Sequence, residues 1–240
     1  MVSTGRTDKG SKRSNNQDSI FVSDSPVGPL PNLYIVADGM GGHAAGDFAS
    51  RYAISVVIDF IRRSTIHSPV SLLRRAMIYA SNEVYKESEK DPDKNGMGTT
   101  MVACVIDEGR MYVANIGDSR LYHMTDDELS QITMDHSLVE ELIRNGELKR
   151  NRGRYHPERN IITRAMGSRE EAMPDFFEVE LKPGDRVLMC SDGLSNMVED
   201  DEIRDIILEN SSTDTAAAAL IDKANYYGGN DNISVILISV

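Results

Sequence analysis

The sequence predicts an α+β protein in which two antiparallel sheets lie face to face with helices outside, and three observations carry that prediction. Strands and helices come in blocks rather than in strict βαβ alternation, most strand-to-strand connections are short Gly/Asp-type turns, and the strands are too many for one small sheet. At 240 residues with 40% apolar content, the chain is expected to form one globular domain over residues 1–240 with a substantial core.

The elements follow in order. "SIFVSD" (19–24) and "LYIVA" (33–37) flank the turn-rich "SPVGPLPN" and read as an antiparallel strand pair. "GDFASRYAISVVIDFIRRS" (46–64) and "SPVSLLRRAMIYASNEVYKESEK" (68–90) space their apolar residues helically, the second with Pro69 just inside a Ser68 cap. "TTMVACVID", "RMYVANIG", "SRLYHM" and "LSQIT" then read as a meander of short strands. "SLVEELIRNG" reads as a helix stopped at Gly146, and residues 147–160 as a mobile, Lys/Arg-rich surface segment. "FFEVEL" and "RVLMC" read as a further strand pair across "KPGD", two helices occupy about 199–226, and "NISVILIS" closes the chain as a buried strand.

Composition excludes several function classes. With 38 acidic against 26 basic residues the net charge is −12, which disfavours nucleic acid and anionic membranes as partners. No run approaches the roughly 18 apolar residues of a membrane span, and "MVSTGRTDKGSKR" lacks the apolar core of a secretory signal, so a cytoplasmic location is expected. Cys104 and Cys190 lie in apolar runs and read as buried, reduced thiols.

The informative residues are aspartates at strand ends. Asp18 precedes "SIFV", Asp38 ends "LYIVAD", Asp118 follows "YVANIG", Asp192 follows "RVLMCS", and Asp231 precedes "NISVIL". Antiparallel pairing of the first two strands about Gly28 brings Asp18 and Asp38 to one sheet edge, and Asp192 and Asp231 converge likewise if their strands are neighbours. Each aspartate alone fits ordinary turn chemistry. Gathered together, uncompensated carboxylates would repel and raise their own pKa values, so bound cations explain the cluster best. Oxygen ligands favour Mg²⁺ or Mn²⁺ over zinc. A calcium-binding structural protein is a remote alternative, because the aspartates are dispersed and form no twelve-residue loop.

An ordered set of motifs resembles the metal-dependent protein serine/threonine phosphatases of type 2C, the PPM family, over nearly the whole chain. The set is "RSNNQD" (13–18), "DGMGG" (38–42), "GTT" (98–100), "NIGDSR" (115–120), "TMDHS" (133–137), "CSDGL" (190–194) and "GGNDNISVIL" (228–237). "HPERNIITRAMG" (156–167) resembles the end of the flap that bacterial members place beside the active site, which makes about 146–167 the flap segment. The resemblance implies a four-layer α-β-β-α sandwich and hydrolysis of phosphoserine and phosphothreonine in proteins by a metal-activated water.

The same resemblance implies roles. Asp38 bridges two Mn²⁺ or Mg²⁺ ions, the Gly39 carbonyl binds one of them, Asp192 and Asp231 complete the inner shell, and Asp18 acts through bound water. Asp118 helps hold a third, weaker ion with Asp192 shared, and Arg13 grips the substrate phosphate with its planar fork. Met40 stands where eukaryotic relatives carry a proton-donating histidine. A thioether donates no proton, so a metal-bound water is the expected donor, with His43 and His136 as weaker candidates. The implied setting is a monomer in a bacterial cytoplasm reversing Ser/Thr kinase signalling, its partners phosphorylated proteins that include such a kinase and its substrates. Two readings on the same fold compete: a catalytically silent phosphoprotein-binding or sensor module, which has no need of intact metal ligands, and a regulator of anti-anti-sigma-type proteins, which usually carries fused sensory domains.

Overall fold

The computed structural model describes every residue except 43–44, 127 and 169–172. One sheet contains β1 (Val2–Asp8), β11 (Ile233–Ser239), β10 (Arg186–Cys190), β7 (Arg120–Met124) and β8 (Leu129–Gln131), in that spatial order. The other runs β2 (Asp18–Ser23), β3 (Leu33–Met40), β5 (Met101–Asp107), β6 (Arg110–Ile116), β9 (Asp175–Glu180), with the two-residue β4 (Gly98–Thr99) also paired to β3. Every strand pair is antiparallel.

Three apolar layers make this a four-layer α-β-β-α sandwich. Helices α1 (Ala45–Arg63) and α2 (Pro69–Lys90) bury Ala49, Val57, Leu73 and Met77 against Ile35, Ala37, Ala103 and Val105 of the second sheet. The sheets meet through Tyr34, Val36, Val102 and Cys104 on one side and Leu121, Val187, Met189 and Ile236 on the other. On the far side α6 (Asp200–Glu209) and α7 (Thr213–Tyr226) cover Leu188, Cys190, Val235 and Leu237. Successive residues of β3 and β11 therefore face different cores, which is why these antiparallel strands carry unbroken apolar runs, residues 33–37 in β3 and 235–238 in β11. The described residues also include three short α-helices, α3 (Leu138–Arg144), capped by the Ser137 hydroxyl, α4 (Arg150–Gly153) and α5 (Asp192–Ser195), and a 3-10 turn at Pro92–Lys94.

Three expectations need correction. "FFEVEL" and "RVLMC" do not pair with each other: β9 is the edge strand beside β6, whereas β10 lies between β11 and β7 in the other sheet. β9 is only half-buried, and its Glu178 and Glu180 pair with Arg110 across the strands, whereas β10 is buried from Val187 to Cys190 and needs a central place. The "KPGD" turn is a corner between sheets, its backbone bonded to Val240 and to the Asp185 carboxylate. The expected meander is likewise cut in two. β5–β6 and β7–β8 are hairpins in different sheets, and the chain crosses at Gly117, whose φ of 104° suits glycine. Strand β1 was not foreseen, since "VSTGRTD" is too polar to signal a strand, yet it pairs with β11 along its whole length.

The basic segment 147–160 makes ion pairs and apolar contacts with its surroundings. Arg150 pairs with Glu140, Arg154 with Glu199 and Asp200, and Gly153 is buried against Ile143 and Val139.

Candidate metal centre

The aspartates meet at one end of the sandwich because of strand register. Asp18 and Asp38 are direct partners in the β2–β3 ladder. β10 and β11 are antiparallel neighbours, so Asp192, two residues beyond β10, and Asp231, two before β11, flank the same end. Asp118 arrives from the Gly117 crossover. Asp38 and Asp118 both feel the charge of Asp192, and Asp192 that of Asp231.

Two of the carboxylates, Asp18 and Asp192, are held by neighbours that use only one oxygen. Ser191 Oγ donates to Asp18 Oδ2 at 2.7 Å, and Asn196 Nδ2 donates to Asp192 Oδ2 at 2.9 Å. The Oδ1 atoms of Asp18, Asp118 and Asp192 are buried with no hydrogen-bond partner among the described residues. Buried acceptors of this kind are costly unless something positive satisfies them.

The electrostatics agree. Burial, reinforced by Asp192 and Asp231, pushes the Asp18 carboxyl up to about 7 against the pull of Ser191 and Ser234. Burial and the repulsion of Asp231 raise Asp192 to about 6. Burial followed by like charges also lifts Asp38 and Asp118 well above the usual carboxylate range. Several buried carboxylates that resist ionisation are what a cation site looks like before its cation is counted. Oxygen-only donors at separate positions suit a hard divalent ion. Among the described residues no three acidic, histidine or cysteine side chains form a ready-made metal cage. The donor set still fits ions that take one or two carboxylates each and complete their shells with backbone carbonyls and water, as Mg²⁺ does.

The backbone around the cluster is packed tightly. A Cβ on Gly39 would lie 2.0 Å from the Gly46 carbonyl oxygen, and one on Gly193 would lie 1.9 Å from that of Asn232. The Gly39 N–H donates to Gln17 O at 3.1 Å. Thr100 holds Asp38 from both sides: its Oγ1 accepts from the Asp38 N–H, and its own N–H donates to the Asp38 carbonyl.

Arg13 donates to Asp231 Oδ2 at 2.7 Å, and its side chain remains 51% exposed at the rim. Its guanidinium is close enough to feel Asp38 and Asp192 as well as Asp231. Beside the cluster opens a cleft of about 440 Å³, whose lining includes Asp118 and Asp192 together with Arg154, Tyr155 and Arg159 of the basic segment.

Of the two candidate proton donors, His43 lies outside the described residues. His136 is not placed to donate to a substrate. It is buried, Nδ1 accepts from the Gly117 N–H at 3.0 Å, and Nε2 bonds Asp175 at 3.1 Å, so both ring nitrogens are committed within the fold.

Several site-building residues had no distinguishing signal in the sequence. Asn232 accepts from the Gln17 N–H and donates to the carbonyls of Lys9 and Asn15, which ties down the loop that carries Arg13. Ser191 and Thr100 serve Asp18 and Asp38 as described. All three lie inside motifs of the resemblance, Thr100 in "GTT", Ser191 in "CSDGL" and Asn232 in "GGNDNISVIL", but nothing there marked what each one holds.

Comparison with known proteins agrees with this fold. The family model for protein phosphatase 2C matches residues 7–222. The serine/threonine phosphatase stp of Listeria welshimeri is 40% identical over 237 residues, covering 97% of this chain and 93% of its own length. Serine/threonine phosphatase Stp1 from Staphylococcus aureus superposes with a TM-score of 0.92 at 30% identity, covering 99% of this chain and 94% of that one. The catalytic domain of PstP, solved in complex with two manganese ions, gives a TM-score of 0.86 at 33% identity over 98% of this chain and 96% of that one. A family match along most of the sequence, with relatives this similar at nearly full length, means that the chain belongs to the protein phosphatase 2C family.

Proposed function

We propose that this chain hydrolyses phosphoserine and phosphothreonine esters in proteins, with Asp18, Asp38, Asp192, Asp231 and the Gly39 carbonyl serving a pair of Mn²⁺ or Mg²⁺ ions and Asp118 a third, weaker one. The observation that carries the assignment is the set of buried, unpartnered Oδ1 atoms on Asp18, Asp118 and Asp192, brought together from separate elements. When bound, such ions supply Lewis acidity and make water a competent nucleophile at neutral pH.

The chain's own groups do the rest. Ser191 and Asn196 fix one oxygen of Asp18 and of Asp192, and in both the other oxygen stays available. Asp231 is set by the Asn232 N–H on Oδ1 and by Arg13 on Oδ2. The Arg13 fork has further N–H groups for the oxygens of a substrate phosphate, and Asp231 keeps it at the rim. Met40 has no proton to give the leaving oxygen, and both ring nitrogens of His136 are committed within the fold.

The charge surplus and the cleft beside a basic segment suit a protein substrate better than nucleic acid. We assign the chain to a cytoplasmic, monomeric role opposite a serine/threonine kinase. No helix among the described residues is long and apolar enough to cross a membrane. The deciding assay is hydrolysis of a phosphothreonine peptide with Mn²⁺, Mg²⁺ or chelator, run beside Asp192→Asn. Loss of activity with chelator and in the variant is expected, and activity that survives chelation overturns the assignment.

A further inference from the structure

The loop that carries Arg13 lies against the turn that carries Asp231, and a side chain in the last turn of α7 reaches across to that loop. Asn225 Nδ2 donates to Oδ1 of Asp8, the last residue of β1, at 3.0 Å, and Asn225 Oδ1 accepts from Ser11 Oγ at 3.3 Å. The same Asp8 oxygen accepts from the Gly10 N–H at 2.8 Å, which starts the loop with a side-chain-closed turn. The main chain of Asn225 serves the other partner. Its carbonyl accepts from the Gly228 N–H at 3.0 Å, where the turn toward Asp231 begins.

The loop and the turn also meet directly. The Ser11 and Lys12 N–H groups both donate to the Gly229 carbonyl, at 2.8 and 3.1 Å, and the Asn232 side chain donates to the carbonyls of Lys9 and Asn15. A Cβ on Gly10, whose φ is 78°, would lie 2.1 Å from the Asp231 carbonyl oxygen, so glycine alone permits this approach. At the outer end Arg13 donates to Asp231 Oδ2 at 2.7 Å. Asn225 therefore stands where both segments spring from the fold, six residues before Asp231 and bonded to Ser11, two residues before Arg13.

For α7 alone an asparagine here is a poor choice, because alanine or leucine favours a helix more. Nor does the seating of α7 depend on it. Ala217, Leu220 and Ala224 are buried in the core, and the first turn of the helix is tied to β1 by Thr213 to Thr4 at 2.9 Å and by Asp214 to Arg6 at 2.7 Å. What the Asn225 amide adds is the link to the Arg13 loop. We propose that Asn225 is a positioning residue for substrate binding, which sets the loop of Arg13 against the turn of Asp231 and so fixes the span across which a phosphate is gripped. The proposal rests on the reading of Arg13 as the phosphate-gripping residue.

The test uses the full chain at saturating Mn²⁺, with a phosphothreonine peptide as substrate and inorganic phosphate as competing ligand. Asn225→Ala removes both side-chain bonds, keeps a good helix former, and leaves the backbone bond to Gly228 in place. It is expected to raise KM and the phosphate Ki about five- to tenfold each, as loss of two partly exposed hydrogen bonds implies, with kcat and the Mn²⁺ midpoint changed less than about twofold. Asn225→Asp sets two carboxylates together and should do no better, whereas combining it with Asp8→Asn restores a donor–acceptor contact and should recover most of the loss. Asp214→Ala cuts the exposed ion pair at the other end of α7 and should leave both constants unchanged. An unchanged phosphate Ki in Asn225→Ala, no recovery in the swapped pair, or an equal rise of KM in Asp214→Ala overturns the proposal. Arg13→Ala separates the two readings. If it leaves phosphate inhibition unchanged, the role of Arg13 fails and the proposal with it; if it weakens inhibition while Asn225→Ala does not, only the assignment of Asn225 fails. In the Arg13→Ala background Asn225→Ala should weaken phosphate inhibition no further, and additive effects there also overturn the proposal.

Discussion

Replacing Asp18 by asparagine should stabilise the metal-free protein, although the residue belongs to the proposed metal centre. Burial and two neighbouring carboxylates move the Asp18 carboxyl from 3.8 to about 7 in the folded state. A folded-state value above the unfolded one means that the native protein holds the proton more tightly. The penalty is absent below about pH 4, grows as pH rises, and is complete above about pH 7. That climb corresponds to about 4 kcal/mol at pH 8, and because the neighbours share the repulsion and relax, about 2–4 kcal/mol is expected to return on substitution. Asparagine keeps an oxygen for Ser191 and puts an amide where the unpartnered Oδ1 faced other carboxylates.

The assay is thermal unfolding in chelator. For a chain of this length the gain should read as roughly 4–12 °C in Tm at pH 8 and about half that at pH 5.5. Added Mn²⁺ should reverse the order, because ligand binding stabilises in proportion to affinity and the variant has lost a ligand-supporting charge. If Asp18→Asn in chelator is no more stable than wild type at pH 8, or gains equally at both pH values, the account of the cluster as cation-compensated repulsion is wrong.

Other expectations follow from single contacts. Arg13→Lys replaces a planar fork by a point charge and should lower kcat/KM for phosphopeptide by about 10- to 100-fold, with weaker inhibition by inorganic phosphate; unchanged phosphate inhibition would exclude Arg13 from the phosphate site. Gly193→Ala drives a Cβ into the Asn232 carbonyl and should cost about 2–3 kcal/mol in denaturant unfolding, together with a higher Mn²⁺ requirement, because α5 carries Asp192. Arg154→Ala removes ion pairs to the exposed carboxylates of Glu199 and Asp200, so global stability should change by about 1 kcal/mol while trypsin cuts within residues 149–159 faster. Unaltered cleavage would mean that those pairs do not hold the segment.

The two halves of the site were not equally legible in the sequence. The β2–β3 hairpin could be read because two apolar runs flank a turn, and their symmetry about Gly28 fixes Asp18 opposite Asp38, as the ladder register shows. The pairing of β10 with β11 could only be assumed, since nothing local says which of many apolar strands are neighbours; their register bears the assumption out. The same gap explains the misread β9–β10 hairpin: a short turn between strands looks alike whether the chain folds back or turns a corner into the next sheet. β1 stayed hidden because an edge strand needs no continuous apolar run.

The braces were the least legible part, and their chemistry shows why. Asn232, Thr100 and His136 act through backbone groups of residues distant in sequence, so their roles exist only once the chain has folded. Aspartates in apolar surroundings announce a problem that something must solve, whereas an asparagine or threonine beside them solves part of it silently. The electrostatic cost borne by the carboxylates and the uncharged residues that orient them therefore belong to one design: at Asp18 and Asp192 a neutral group fixes one oxygen and leaves the other uncompensated. A site built in this way should be least stable when empty and most rigid when filled, so chelation should speed amide exchange in the crossover at Gly117 and around Asn232 more than in α2, which lies outside the site.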